Sequence, residues 1–274
     1  MKPDRTKRQA TLLSCSAPLL QPVVNRGLVA MGLISDLQAL RRSWRIYHGN
    51  PGHDQALDAL YARYVRPGDL VFDVGAHVGH RTASFLRLGA RVVAVEPQPL
   101  PANLVRAVWG WRGAKVVRAA CGAAVGVASM RVNADNPIVS TMSTDFVSAS
   151  KDAPGWEGQS WDRTMDVAVT TIDTLIASHG APSFIKIDVE GFEREALAGL
   201  THKSNALSFE FTTIQKNIGL DCVDRCVALG YSRFNAVIGE THQLQFENDV
   251  DAPTIRAWLS DLPIDANSGD IYAQ

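Results

Sequence analysis

Short apolar segments alternate with amphipathic ones from residue 70 onward, and this alternation constrains the fold more than any other feature. LVFDV (70–74) and RVVAVE (91–96) are typical of buried strands, and HRTASFLRLG (80–89), between them, has the apolar spacing of a helix. A helix, LPANLVRAVWGW (100–111), and a third strand, KVVRAAC (115–121), continue the pattern. Such alternation favours a parallel sheet with helices on both faces. The predicted fold class is therefore α/β, with a mostly parallel, doubly wound sheet.

The pattern extends to both sides of this region. ISDLQALRRSWRIY (34–47) and HDQALDALYARYV (53–65) have the spacing of amphipathic helices. Later strands are predicted at VASMRV, VAVTT, SFIKIDV and ALSFEFTT, and helices at IDTLIASHG and GFEREALAGL. The tail segments YSRFNAVI, THQLQFEND and DIYAQ are predicted to be antiparallel strands that close one edge of the sheet.

The predicted organisation is a single domain, residues 36–274, after a poorly ordered lead-in, residues 1–35. The N-terminus resembles a secretory signal only faintly, because its apolar patch is short and interrupted by serines and a proline. Within the domain, residues 133–163 are polar, and no helix of normal length fits there. We expect a long loop insertion that covers a binding site, since loops of this length are often lids or binding loops.

Charge and cysteine content limit the partners and the compartment. The formal net charge of −1 does not favour nucleic acid, and no apolar run approaches the roughly 20 residues that span a bilayer. A small-molecule partner is expected; the oligomeric state is left open. The chain has four cysteines, Cys15, Cys121, Cys222 and Cys226. They are too few and too scattered for a disulfide framework, which fits a reducing cytoplasm.

Two of these cysteines lie four residues apart, on one face of a predicted helix. Cys222 and Cys226 are expected to be small buried residues on its apolar side. The alternative is a metal site completed by a distant histidine, His202 or His242. No metal ligands are assigned from this pattern.

The segment DVGAHVG (73–79) lies between the first strand and its helix, where doubly wound sheets bind ligands. Gly75 and Gly79 allow close backbone approach, and the helix N-terminus offers free N–H groups. The spacing D-x-G-x-x-x-G lacks the third glycine of the dinucleotide fingerprint. Asp73 would repel a pyrophosphate, but it suits the ammonium group of an amino-acid-bearing cofactor. Glu96, which ends the second strand, can accept both ribose hydroxyls, so the residues predict a pocket for S-adenosylmethionine.

Further pocket residues follow from the same strand ends. Ala120 ends the third strand, where small residues can flank an adenine ring. The predicted cofactor-binding residues are Asp73, Gly75, Ala76, His77, Gly79, Glu96 and Ala120. The weaker candidates in the polar stretch are Asn133, Asp135, Asn136, Ser140 and Thr141. Trp156 and Trp161 either stack on the acceptor or anchor the loop to the domain.

The run KIDVEGFE (186–193) places Lys186, Asp188 and Glu190 at alternate positions, which share one side of an extended segment. Charges at the end of a buried strand are costly unless they are paired with one another or with a ligand. One interpretation is a salt-bridged structural cluster. The other makes Asp188 and Glu190 catalytic: either takes the proton of a substrate hydroxyl, or both hold a divalent cation.

These motifs carry a family resemblance. DVGAHVG, VVAVEP, VTTIDTLI and FIKIDVEGFEREALAGL resemble the FkbM-type family of S-adenosylmethionine-dependent methyltransferases, over roughly residues 68–212. The resemblance implies a Rossmann-like class I methyltransferase fold and methyl transfer, typically to a hydroxyl of a sugar or another small metabolite. This family usually has Asn where the chain has His77, so His77 is expected to fix the loop rather than act as a base.

Two other classes of function remain as alternatives. A nicotinamide-dependent oxidoreductase would also use a glycine loop and Glu96, but the missing third glycine and KIDVEGFE argue against it. A non-catalytic scaffold that retained the fold would be expected to have lost its acids, whereas Asp73, Glu96, Asp188 and Glu190 are all present.

Overall fold

The structure is a computed structural model that describes residues 21–274, with side chains from residue 34 onward. Its α-helices are α1 (Gln21–Tyr47), α2 (Pro51–Tyr61), α3 (His80–Arg87), α4 (Pro99–Trp109), α5 (Thr144–Ser150), α6 (Ile172–His179), α7 (Glu193–Ala198), α8 (Lys216–Ala228) and α9 (Ala252–Asp261). Its strands are β1 (Leu70–Val74), β2 (Arg91–Val95), β3 (Ala114–Val117), β4 (Ala120–Cys121), β5 (Gly126–Val132), β6 (Arg163–Thr170), β7 (Phe184–Ile187), β8 (Ala206–Thr212), β9 (Phe234–Ile238) and β10 (Ser268–Ala273).

Seven strands form the main sheet, in the order β3-β2-β1-β7-β8-β10-β9. Along this order, the four neighbouring pairs β3–β2, β2–β1, β1–β7 and β7–β8 are parallel. Strand β10 runs antiparallel to both of its neighbours, β8 and β9. This confirms the predicted α/β fold class: a mostly parallel, doubly wound sheet with an antiparallel closing edge, as in Rossmann-like class I methyltransferases. The strand order reverses between β1 and β7, which places the ligand crevice at their carboxyl ends.

Helices cover both faces of this sheet, which explains why its central strands are mostly apolar, with Asp73 in β1 and Lys186 in β7 as buried charged residues. All five residues of β1 are buried. Val71 packs in a cluster with Leu57 of α2 and Phe85 of α3, whereas Phe72 packs on the opposite face in a cluster with Val223 of α8. Successive side chains of a strand point to opposite faces, so a strand buried on both sides needs a continuous apolar run.

Local signals set several helix starts. Asn50, Ser143, Thr171 and Asp251 cap α2, α5, α6 and α9, and each accepts a hydrogen bond from a backbone N–H of the first turn. The two predicted N-terminal helices correspond to α1 and α2. α1 begins at Gln21, inside the stretch predicted as a lead-in, and Cys15 lies outside the described residues. The division into a lead-in and one domain stays a prediction.

The predicted third strand, KVVRAAC, is wrong as a single element. Its first half pairs with β2 as β3, whereas β4 leaves the main sheet and joins a second sheet of order β4-β6-β5. The ladder with β2 ends where the Glu96 backbone N–H donates to the Val117 carbonyl, at 3.0 Å. Pro97 follows and has no N–H to continue the pairing. The predicted strand at VAVTT is part of β6, in this second sheet.

Residues 133–163 are packed against the domain rather than irregular throughout. They contain a short 3₁₀-helix, Pro137–Val139, and the seven-residue helix α5. Phe146 is fully buried beneath Trp156, with ring centroids 5.0 Å apart, and the Trp161 indole donates to the Val139 carbonyl at 2.7 Å. Of the two roles considered for the tryptophans, these contacts favour anchoring.

The tail contains two of the predicted strands, β9 and β10, but THQLQFEND is not a third. Its one isolated bridge to β9 joins Leu244 to Val237. The Asn235 side chain accepts a hydrogen bond from the Phe246 backbone N–H and donates one to the Phe246 carbonyl. Both backbone groups of Phe246 are therefore bonded to a side chain instead of to a neighbouring strand. Helix α9 was not predicted from the sequence. Among residues 21–274, no helix has the length and apolar character needed to cross a membrane.

Candidate active site

A cleft of about 970 Å³, open to solvent, lies at the carboxyl ends of the central strands. Its walls come from the loops after β1 and β2, the turn after β7 and the second sheet. The predicted residues that line it are Gly75, Ala76, His77, Glu96, Ala120, Ser140, Asp188 and Glu190. The structure thus brings together most of the residues expected at the cofactor and catalytic sites.

Both loop glycines have left-handed backbones, and both positions exclude a side chain. A Cβ on Gly75, where φ is +87°, would lie 1.7 Å from the carbonyl oxygen of Asp188. A Cβ on Gly79, where φ is +76°, would lie 2.8 Å from the Trp109 indole nitrogen. Contacts within the protein therefore require both glycines: the loop after β1 lies against the residue that follows β7 at Gly75, and against α4 at Gly79.

Glu96 connects the loops that follow β1 and β2. Its Oε2 accepts from the His77 backbone N–H at 2.9 Å, and its Oε1 accepts from the Gln98 backbone N–H at 2.8 Å. Burial raises the pKa of this carboxyl to about 7, although both N–H groups favour its charged form. Each carboxylate oxygen has two acceptor positions, so Glu96 keeps capacity for ligand hydroxyls after fixing the loop.

The structure gives a physical reason for the unusual residue in the loop. His77 has φ +44°, in the left-handed region that Asn, Asp and His adopt more readily than most other residues with a side chain. Its Nε2 is buried and has no hydrogen-bond partner among the described residues, and burial lowers the pKa of the ring to about 4. His77 is therefore neutral at pH 7. The observed loop-fixing contact comes from its backbone.

Asp73 and Gly79 lie behind the cleft, outside its lining. The carboxylate of Asp73 is buried and accepts a hydrogen bond from the Thr82 hydroxyl of α3, at 2.5 Å. Burial raises the pKa of this carboxyl to about 6. Asp73 thus fixes α3 beneath the loop, and its direct contact with a cofactor ammonium stays a prediction.

The KIDVEGFE segment forms a turn around a group of acids. Strand β7 ends at Ile187, so the alternation predicted for this run does not continue to Glu190, which has φ +55°. Glu193 holds the turn, because its Oε1 accepts from the backbone N–H groups of Val189 at 2.9 Å and Gly191 at 3.3 Å. Burial raises the pKa of Glu193 to about 7.

Lys186 is fully buried and pairs with two carboxylates. Its Nζ donates to Asp188 Oδ2 at 3.0 Å and to Asp270 Oδ1 at 2.8 Å. Burial opposes the charge of Asp188, but Lys186 and Arg81 outweigh burial and lower the pKa of this carboxyl. The structural interpretation of the run is therefore correct for Lys186. Asp188 nevertheless lines the cleft, with 30% of its side chain exposed.

Glu190 and Glu210 complete an acidic cluster with Asp188. Each of these three residues offers one carboxylate oxygen, and the three oxygens lie within 4.8 Å of one another. Burial, and then the charge of Asp188, raise the pKa values of Glu190 and Glu210 well above the usual range. Close carboxylates that cannot all ionise must share protons or bind a cation.

Several cleft residues were not predicted from sequence. Tyr47, Arg81, Glu210 and Glu240 line it. Arg81 donates to both oxygens of Glu240, at 2.8 and 2.9 Å, across 159 residues of chain. No local pattern marks such a pair. Arg81 follows His80 directly after the glycine loop, and that position is the only available signal.

The weaker loop candidates mainly hold their own segment. The Asn133 side chain accepts from the backbone N–H groups of Asp135 and Asn136 and donates to Gln159. Thr141 donates to the Glu190 carbonyl at 2.6 Å and so attaches the segment to the acidic turn. Cys222 and Cys226 are fully buried in the apolar core, as expected.

Comparison with known proteins identifies the family. The methyltransferase FkbM domain matches residues 73–263. A curated relative, 31-O-demethyl-FK506 methyltransferase FkbM of Streptomyces tacrolimicus, is 30% identical over 187 residues, which cover 57% of this chain and 72% of the relative.

Solved structures are similar only at a distance. A precorrin-6y C5,15-methyltransferase of Geobacter metallireducens has 12% identity and a TM-score of 0.40, covering 80% of this chain and 86% of its own. A TehB-like S-adenosylmethionine-dependent methyltransferase of Corynebacterium glutamicum has 11% identity and a TM-score of 0.41, covering 82% and 99%. The assignment therefore rests on the FkbM domain match, and the chain belongs to the FkbM family of S-adenosylmethionine-dependent methyltransferases.

Proposed function

We propose that this protein transfers the methyl group of S-adenosylmethionine to a hydroxyl oxygen of a small molecule, a sugar or another metabolite. The observation that carries the proposal is that one cleft is lined both by Glu96, which connects the loops after β1 and β2, and by the carboxylates of Asp188, Glu190 and Glu210. The curated relative is named as a methyltransferase of an O-demethyl compound, which supports an oxygen atom as the acceptor of the methyl group.

The lining suggests how the cofactor lies. Glu96 accepts the ribose hydroxyls, with Ala76 and His77 beside them and Ala120 against the adenine. The methionine portion then extends toward Asp188. The sulfonium and ammonium groups of the cofactor are cations, so they are stabilised by the ionised Asp188 and by the acidic character of its neighbours.

Methyl transfer needs a proton acceptor near the substrate. The hydroxyl oxygen forms a bond to the methyl carbon while the bond from carbon to the sulfonium sulfur breaks, leaving S-adenosylhomocysteine. The O–H proton becomes strongly acidic as the new bond forms, so even a carboxylate of low pKa accepts it. Asp188 is the ionised member of the cluster and takes the proton. Glu190, whose pKa is raised well above the usual range by burial and then by the charge of Asp188, orients the hydroxyl by a hydrogen bond.

The three carboxylates also support a second route. Oxygen ligands of this kind suit Mg²⁺ or Ca²⁺, and a cation would relieve the repulsion that raises the pKa values of Glu190 and Glu210. Such a cation would polarise the acceptor hydroxyl. Turnover after chelation, with and without added Mg²⁺, separates this route from proton transfer to Asp188 alone.

The remaining proposals concern partner and compartment. A small acceptor bound in the cleft contacts Tyr47, Arg81 and Glu240, which line it. Cys121, Cys222 and Cys226 are free and buried, which supports the proposal of a reducing, cytoplasmic location.

Incubation of cell extracts with S-adenosylmethionine carrying a labelled methyl group tests the proposal. The label should appear as a methyl ether on a small molecule. Asp188→Asn keeps the side-chain size and removes the charge, so turnover should fall on the order of 10²–10⁴-fold. Full activity of a folded Asp188→Asn variant, or label on nitrogen or carbon, would contradict the assignment.

A further inference from the structure

Two histidines and a glutamate that are not part of the acidic cluster meet at the edge of the cleft. His53 lies in α2, and Glu240 and His242 follow β9. The Nε2 atoms of His53 and His242 are 2.8 Å apart. Glu240 Oε2 lies 3.8 Å from the His53 Nε2 and 3.6 Å from the His242 Nε2.

These separations match three ligands of one ion. Metal–nitrogen and metal–oxygen bonds of about 2.0–2.2 Å at tetrahedral angles place ligand atoms about 3.3–3.6 Å apart. The observed separations, 2.8 to 3.8 Å, bracket that value. The two Nε2 atoms now lie at hydrogen-bond distance and would move apart by about 0.5–0.8 Å to bind an ion. Imidazole nitrogens with one carboxylate are donors that suit Zn²⁺, Co²⁺ or Fe²⁺ better than Mg²⁺.

The neighbouring side chains hold the three donors in place. The ring of His80 stacks on His53, with centroids 5.2 Å apart and planes 9° apart. The His242 side chain is only 4% exposed. Arg81 donates to both oxygens of Glu240, which orients the carboxylate as hydrogen-bond partners of metal ligands do. Its charge opposes a cation and so limits the affinity.

We propose that His53, Glu240 and His242 bind one transition-metal ion, Zn²⁺ or a similar divalent ion, with a fourth position open to solvent or ligand. The ion would join α2, on the N-terminal side of the chain, to the segment after β9. Glu240 also lines the cleft, so the ion would fix the wall that contains Arg81 and Tyr47.

Titration of the chelator-treated full-length protein with Zn²⁺ tests this proposal. Calorimetry should show one equivalent bound with micromolar affinity or tighter. Co²⁺ at the same site should give visible absorption bands of the strength that four-coordinate Co²⁺ shows. Zn²⁺ should also raise the melting temperature, because it binds the folded state.

His53→Ala and His242→Ala should each weaken Zn²⁺ binding by more than the roughly 10- to 100-fold that loss of an outer-shell partner costs. His202→Ala is the matched control, since His202 is exposed and pairs with Asp173 elsewhere. Because His242 is buried, His53→Ala is the decisive variant if His242→Ala does not fold. Unchanged Zn²⁺ binding in folded His53→Ala, or no binding by the unmodified protein, would overturn the proposal.

A second titration separates this site from the acidic cluster. Glu190→Gln should leave Zn²⁺ affinity unchanged if the ion is bound by His53 and His242. Loss of Zn²⁺ binding in Glu190→Gln, with retention in His53→Ala, would place the ion at Asp188 and Glu210 instead and refute the histidine site. Methyl transfer is not measured in either titration, so the result does not depend on the proposed reaction.

Discussion

Replacement of Glu96 by glutamine should weaken cofactor binding while the protein still folds. Glutamine keeps the size of the side chain but turns one acceptor oxygen into an NH₂ group. That group then faces a backbone N–H, of His77 or of Gln98, which donates to Glu96 in the unmodified protein. An unsatisfied buried donor costs about 1–3 kcal/mol, so the free energy of unfolding should fall by that amount.

The loss of cofactor affinity follows from the ribose contacts. Hydrogen bonds to a charged acceptor contribute about 1.5–3 kcal/mol, which corresponds to about 10- to 150-fold in Kd. Calorimetric titration with S-adenosylhomocysteine at pH 8, above the pKa of about 7, measures the effect with Glu96 ionised. In the unmodified protein, affinity should also decrease below pH 7, as Glu96 takes up a proton. Glu96→Gln should show no such dependence.

The exposed Glu247 offers a control, because Glu247→Gln makes the same chemical change away from the cleft. Its affinity for S-adenosylhomocysteine should equal that of the unmodified protein. A folded Glu96→Gln variant that binds within about threefold of the unmodified protein would refute the ribose assignment, since removing the carboxylate would then have cost less than one charged hydrogen bond.

Two further predictions concern stability. Gly75→Ala should lower the free energy of unfolding, measured in urea titrations, by about 2–4 kcal/mol. The reason is that the added Cβ would lie 1.7 Å from a carbonyl oxygen, at a residue with a left-handed φ. Gly126→Ala is the control: no atom lies within 4 Å of the added Cβ, so the free energy of unfolding should change by less than about 0.5 kcal/mol. Burial raises the pKa of Asp73 to about 6 and of Glu96 and Glu193 to about 7. These carboxyls stabilise the folded state fully below their ordinary pKa values of 3.8 and 4.5, and this stabilisation is lost as the pH rises through 6 to 7. Glu193→Gln removes one of the three groups, so the free energy of unfolding should decline less between pH 5 and 8 in this variant.

The predictable parts of this molecule have local causes. The strands around Val71 and Ile185 are mostly apolar, because both of their faces are covered by helices. Glu96 was identified because the end of the second strand is a fixed place in a doubly wound sheet. Helix α9 also has a local signal in the sequence, because the Asp251 side chain caps its start by accepting a hydrogen bond from the Thr254 backbone N–H.

The parts that could not be predicted depend on contacts distant in sequence. Arg81 of α3 meets Glu240, and His53 of α2 meets His242, only because both helices lie against the segment after β9 in the fold. The direction of the Asp73 side chain depends on Thr82, and sequence spacing does not specify direction. A side chain, Asn235, prevents a third antiparallel strand in the tail that its residue pattern favours.

A crystal structure of the complex with S-adenosylhomocysteine tests the central claim most directly. We predict that both ribose hydroxyls lie within hydrogen-bond distance, about 2.5–3.2 Å, of the Glu96 carboxylate, and that the cofactor sulfur is directed toward Asp188. Ribose bound elsewhere, or a sulfur that faces away from the cluster of Asp188, Glu190 and Glu210, would contradict it.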